Sequence, residues 1–185
     1  MKKKPINFVI SGLGGQGILF MTKILARTAL HKGFKVMGAE THGMAQRGGS
    51  VVSHLRLGDV KSSLVKAGAA DFLLALEENE AYRNLPFLAE QSLLCSNKSS
   101  GNFPVPEVEG YLSNASIACH SIKAGSLAFE LDAPMSTNLA LLGYFSTLDR
   151  CPFTLQELRT TIEAMSPAAY KEINLKVFDK GARES

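Results

Sequence analysis

A three-layer α/β domain is the fold class this sequence predicts, with a mainly parallel sheet, an antiparallel excursion after the third strand and a helical C-terminal third. Three observations carry the prediction. The short apolar runs over residues 6–11 and 72–76 read as strands buried on both faces, the pattern of parallel sheets. The first run passes through a glycine-rich turn into a helical stretch whose polar residues Lys23, Arg27 and His31 draw one narrow wet stripe. The last third carries helix signals, among them Thr154 followed three residues later by Glu157, a capping box. At 185 residues, 45% hydrophobic and 20% charged, the chain suits one domain over residues 1–185 with a core of its own.

Each element has its own warrant. Residues 6–11 form the first strand. The helix over residues 17–31 ends just before Gly33, where a left-handed residue closes a last turn. Residues 35–39 are the second strand. A strand, a helix and a strand this close together make a βαβ unit, so the two strands run parallel with a right-handed crossover. Residues 51–57 are the third strand, with polar and apolar side chains mixed on both faces. Gly58-Asp59 is a turn signal, and residues 60–65 are expected to return antiparallel. Residues 72–76 form a buried strand. Glu77, Glu78 and Glu80 then supply the acidic first turn of a helix, where the macrodipole favours negative charge. Residues 93–96 are another short strand. Residues 97–110 are rich in Ser, Gly and Pro; Pro104 and Pro106 exclude a central strand, and a surface loop is expected. Residues 115–119 make the last strand. Helices follow over residues 122–131 and 136–148, and a third opens at the capping box. The last is prefaced by Ser166-Pro167 and stopped near Gly181, with Tyr170, Ile173, Val177 and Phe178 on one face.

Composition narrows the partners. The formal charge of +3 comes entirely from Lys2, Lys3 and Lys4, so the chain has a basic tip and no basic face, and nucleic acid is not expected as a partner. Cys95, Cys119 and Cys151 are an odd, widely spaced set, neither a disulfide framework nor a metal or cluster motif. Reduced thiols and a cytoplasmic location are expected. Lys23 and Arg27 interrupt the apolar stretch after the glycines, so no membrane span and no membrane partner are expected either.

Two constellations carry chemistry. Gly12-Leu13-Gly14-Gly15-Gln16-Gly17 matches G-x-G-x-x-G between a strand and a helix. Gly12 allows a tight turn, Gly14 lets backbone come close to a ligand, and Gly17 lets the helix pack on the strand. The helix N-terminus then offers free N–H groups to a phosphate, which is the Rossmann-like arrangement. The same glycines also serve a plain strand-to-helix handover, so the turn alone leaves both readings open. The second constellation is His42, Gly43, Gln46, Arg47, Gly48 and Gly49, leading into the third strand on the same carboxyl edge. Arg47 beside two glycines suits a bidentate clamp on a phosphate or carboxylate. His42 and His54 have no third ligand at metal spacing, so no metal site is expected, and a hydrogen-bonded structural role suits each of them. No nucleophile–base pair is apparent.

Taken together, these stretches resemble a known family. GLGGQGI after the first strand, ETHGMAQRGGSVVSHLR after the second and ADFLLALEENEAYR in the middle of the chain resemble the gamma subunit, or gamma domain, of the 2-oxoacid:ferredoxin oxidoreductases. Further on, NLALLG at residues 138–143 and EINLKVF at residues 172–178, with Gly181, resemble that family's later landmarks. The HGMAQRGG form is similar to the indolepyruvate branch, whose small chain is called the beta subunit. The Thr41-x-Gly43 and Arg47-Gly48-Gly49 elements are compatible with the pyruvate and 2-oxoglutarate branches too. The resemblance implies a complex that oxidatively decarboxylates a 2-oxoacid with coenzyme A to an acyl-CoA and passes electrons to ferredoxin. Thiamine diphosphate, Mg2+ and [4Fe-4S] clusters would sit on the catalytic alpha and beta (or fused) subunits, with no cofactor held by this chain alone and no catalytic residue on it. Gly12, Gly14, Gly15, Gln16, Gly17 and the residues 42–49 would then form a cofactor-binding or interface surface. The competing classes are a free-standing nucleotide-binding protein that uses the glycine turn, and an interaction domain whose glycines serve packing alone.

Overall fold

The computed structural model describes residues 4–42, 48–99 and 101–184. A six-stranded sheet forms the middle layer, with strands β1 (Ile6–Leu13), β2 (Val36–His42), β3 (Ser50–Leu57), β4 (Ala70–Ala75), β5 (Leu88–Asn97) and β6 (Ala118–Ile122). Their spatial order is β2-β3-β1-β4-β5-β6. The pairs β1–β4, β4–β5 and β5–β6 are parallel; β3 runs antiparallel to both β1 and β2. The α/β class, the mainly parallel sheet and the helical last third are as the sequence predicts. The antiparallel component lies elsewhere than expected. Residues 60–65 form no strand, and β3 itself is the antiparallel member, inserted between β1 and β2. The expected βαβ strands do run in the same direction, but a third strand separates them. Period-two patterning sets which face a side chain takes and leaves the neighbour open, so the sequence did not specify this insertion.

Among the described residues seven α-helices flank the sheet: α1 (Ile18–His31), α2 (Glu78–Asn84), α3 (Pro106–Asn114), α4 (Ala124–Phe129), α5 (Thr137–Phe145), α6 (Leu155–Met165) and α7 (Lys171–Ala182). Alternation along the strands feeds two cores. Phe8, Ile10, Phe72, Leu74, Leu93 and Cys95 face the larger one, with α1 and α4 to α7; Val9, Leu73, Ala75 and Leu94 face the smaller one, beneath α2 and α3. Aromatic rings centre the larger core. Phe8 stacks on Phe72 at 4.7 Å, and Phe145 meets both edge-on at 6.1 and 5.4 Å, within the range where such pairs attract.

One further expectation is corrected. The loop expected over residues 97–110 is shorter, because Pro106 opens α3 instead of interrupting a loop. Proline is pre-organised for a helix's first turn, and Glu107 and Glu109 complement the dipole there. The last helix ends near Gly181 as expected: α7 closes at Ala182, and Gly181, in its final turn, lies against α5. A methyl group on Gly181 would overlap the carbonyl oxygen of Ala140, and one on Gly143 would overlap that of Phe178. The two glycines let the backbones of α5 and α7 touch. The capping box at Thr154 and Glu157 is formed as expected, with Glu157 N–H donating to Thr154 Oγ1 at 3.2 Å and Thr154 N–H to the Glu157 carboxylate at 2.9 Å.

Candidate functional site

The carboxyl ends of β1 and β4 mark a sheet edge at which the chain turns outward, the place where open α/β sheets bind ligands. Leu13 ends β1, residues 14–17 turn, and α1 begins at Ile18. Gly17 caps that helix with φ 77°, a left-handed conformation that disfavours a side chain. A Cβ at Gly17 would also sit 2.5 Å from Asn138 Nδ2, and this amide donates to the Gly17 carbonyl at 2.9 Å. The buried Asn138 at the start of α5 therefore fixes the helix entry. Sequence reasoning placed it only among the family landmarks.

The turn is closed largely on itself. Gln16 Oε1 accepts the Leu13 N–H at 2.8 Å, and Gln16 N–H donates to the Leu13 carbonyl at 3.2 Å. The Gln16 side-chain amide donates to the Glu77 carboxylate of the next βα junction. Gly14 N–H donates to the carbonyl of Gly49 at 2.9 Å. Two amides that a bound phosphate would draw on, those of Leu13 and Gly14, are thus already taken. Beside the turn lies an open cleft of about 520 Å³ lined by Leu13, Gly14, Gly15, Ile18, Phe20 and Val51, among others, with Lys23 also on its wall. Its lining is mainly apolar, which suits a hydrophobic group with an anionic end better than a bare phosphate.

The structure brings the described ends of the second constellation, His42 and Gly48-Gly49, to the strand edge that carries the first. His42 pairs with Val51 across β2 and β3, and Val51 with Gly12 across β3 and β1, so one row crosses all three strands at the edge. Gly48 and Gly49 lie against the glycine turn through the Gly14 contact. Gly43, Gln46 and Arg47 lie outside the described residues, and of His42 only the backbone is described.

Helix α2 holds this edge from below. Glu80 is 1% exposed, and its carboxylate accepts Ser50 Oγ at 2.6 Å and Arg83 Nη1 at 2.6 Å. Glu78 accepts from the backbone N–H and the hydroxyl of Ser99, at 2.7 and 3.1 Å. The three acids read from sequence as dipole-complementing are therefore also three tethers. The spacing of Glu80 and Arg83 on one helix was the available signal; the burial of Glu80 was not visible.

His54 has the structural role expected of it. It is buried, its Nδ1 accepts the Val65 N–H at 3.4 Å, and its ring meets Phe87 edge-on at 5.2 Å. Burial pushes its pKa below the usual histidine value. The thiols of Cys119 and Cys151 are raised by burial to about 11 and about 12, and that of the fully buried Cys95 is raised as well. Thiols held protonated are poor ligands for an iron–sulfur cluster. Among the described residues no three His, Cys, Asp or Glu side chains converge as a metal site, and no helix is long and apolar enough to cross a membrane.

A glycine turn tied to the residues that lead into β3, at the edge of a mainly parallel sheet, defines a Rossmann-like α/β protein. The chain belongs to the pyruvate ferredoxin/flavodoxin oxidoreductase family, whose pattern it matches over residues 7–184, and it is a small subunit of a 2-oxoacid:ferredoxin oxidoreductase. Indolepyruvate oxidoreductase subunit IorB of Archaeoglobus fulgidus is 33% identical, over 97% of this chain and 95% of that protein. Among solved structures, pyruvate oxidoreductase subunit PORC of Thermotoga maritima has the same fold, with a TM-score of 0.75, 20% identity and coverage of 98% and 97% of the two chains. The 2-oxoglutarate:ferredoxin oxidoreductase of Magnetococcus marinus, solved with 2-oxoglutarate, coenzyme A and succinyl-CoA bound, contains the same fold at a TM-score of 0.77 and 21% identity. There this chain spans 98% of its own length and 31% of the larger one.

Proposed function

We propose that this chain is the small subunit of an indolepyruvate-type ferredoxin oxidoreductase, inactive alone, whose glycine-lined edge meets the catalytic subunits and forms part of the coenzyme A surroundings. The complex would convert a 2-oxoacid and coenzyme A to an acyl-CoA and carbon dioxide, with the electrons going to ferredoxin in the cytoplasm. The thiamine diphosphate, Mg2+ and [4Fe-4S] clusters that this chemistry uses would be held by the catalytic alpha and beta (or fused) subunits. The indolepyruvate assignment is supported by the Archaeoglobus fulgidus relative named above, an indolepyruvate oxidoreductase subunit. What supports this reading is the Gly14–Gly49 hydrogen bond, which ties the end of the second loop to the glycine turn. The mainly apolar cleft beside it, with Lys23 on its wall, would take an apolar group carrying negative charge.

Arg47→Ala tests the placement in the assembled complex. Loss of a bidentate charge-assisted contact should raise the coenzyme A KM by about 10-fold or more, or weaken assembly to a similar degree. Unchanged assembly together with an unchanged KM would show that the loop faces elsewhere. The free-standing nucleotide-binding alternative has no support among the relatives described, and the internal use of the turn's amides argues against it.

A further inference from the structure

Glu80 is 1% exposed, a nearly water-free carboxylate at the base of the glycine edge. An isolated buried charge is strongly unfavourable, and such groups persist where hydrogen bonds and an opposite charge compensate them. Here the compensation is directional. One carboxylate oxygen takes the Ser50 hydroxyl and the other the Arg83 guanidinium, both at 2.6 Å, while the Glu80 backbone carbonyl takes the Asn84 side-chain amide at 2.8 Å. Ser50 is the first residue of β3 and pairs with Leu13, the last of β1. Its neighbour Gly49 supplies the carbonyl that holds Gly14. The chain of contacts therefore runs from α2 through Ser50 to the junction of the two glycine loops.

We propose that Glu80 is a positioning residue: through Ser50 it fixes the Gly49 carbonyl against Gly14, and Arg83 serves as its counter-charge. This rests on the reading that the glycine edge contributes to coenzyme A use in the assembled enzyme. The device sets where the backbone of that edge stands and touches no reacting atom itself.

Hydrogen exchange at the Gly14 amide reads the device directly in the full chain, because that proton's acceptor is the Gly49 carbonyl. In Ser50→Ala and in Glu80→Gln it should exchange at least about tenfold faster, while the amide of Leu74 in the central strand β4 keeps its rate. Ser50→Thr, which keeps the hydroxyl, should restore slow exchange. In the complex assembled with its catalytic subunits, the same two variants should raise the coenzyme A KM with little change in kcat. Gly14 exchange within about twofold of wild type in both variants would overturn the proposal. Equal acceleration at Leu74 would also overturn it, as plain destabilisation. Faster Gly14 exchange with unaltered KM and assembly would leave the positioning role standing and remove the functional reading of the edge.

Discussion

His54 occupies a strand position between Val9 and Ala39 and carries a titratable ring into a buried row. Burial holds its folded pKa below the unfolded value of 6.5, so the unfolded chain takes up the proton first as pH falls. The stability that the neutral ring contributes is complete above about pH 6.5 and shrinks as pH falls through the folded value. Urea unfolding at about pH 7.5 and about pH 5.5 should therefore show wild type losing more stability than His54→Gln, with the difference confined to the acid side. Equal losses would mean that the ring is as free to protonate folded as unfolded. The residues that matter at this scale were unevenly legible. The glycines and Arg47 announce themselves by type and spacing, whereas Glu80, Ser50 and Asn138 are ordinary residues made specific by what the fold sets beside them. Ser50 in particular reads as one more serine after two glycines until its hydroxyl is seen to reach a buried carboxylate.

Helices differ in how tightly their glycines bind them to their surroundings, and two in this chain stand at opposite limits. Gly143 of α5 has no room for a methyl group, because the Phe178 carbonyl of α7 occupies that space. Gly143→Ala should cost about 3 kcal/mol or more, read as a lower urea midpoint, since neither backbone can withdraw without opening the core. Gly110 of α3 has no heavy atom within 4 Å of a Cβ added there, and Gly110→Ala should raise stability by about 0.5–1 kcal/mol through helix propensity alone. A reversed order would contradict the close packing of α5 on α7. Element type was largely readable from sequence. The first helix, the capping box of α6 and the buried strands follow from periodicity and end signals that act within a few residues. What escaped was set by distance in the chain: the antiparallel β3 between β1 and β2, and the role of Gly181, whose partner Ala140 lies on another helix. Pro106 was a local signal read for what it forbids, a strand, and not for what it permits, a helix start.

The two hydrophobic cores lie on opposite faces of one sheet and share every central strand, so neither can be exposed without disturbing the other. One domain over residues 1–185 is accordingly expected to unfold in one step. Near-ultraviolet and far-ultraviolet circular dichroism should give coincident urea transitions, and separated midpoints would divide the chain into two units. At this scale the family-like motifs, arranged in order along nearly the whole sequence, were more informative than any single one. Composition and periodicity by themselves lead only as far as an α/β domain with a ligand-suited edge. The insertion of β3 also has a consequence in time. Synthesis delivers β1 and β2 with α1 between them before it delivers the strand that must lie between the two. Until Leu57 has left the ribosome, each is a strand whose native neighbour does not yet exist. Sheet assembly in this chain thus begins with a wait, and the hairpin of β2 and β3 ends it.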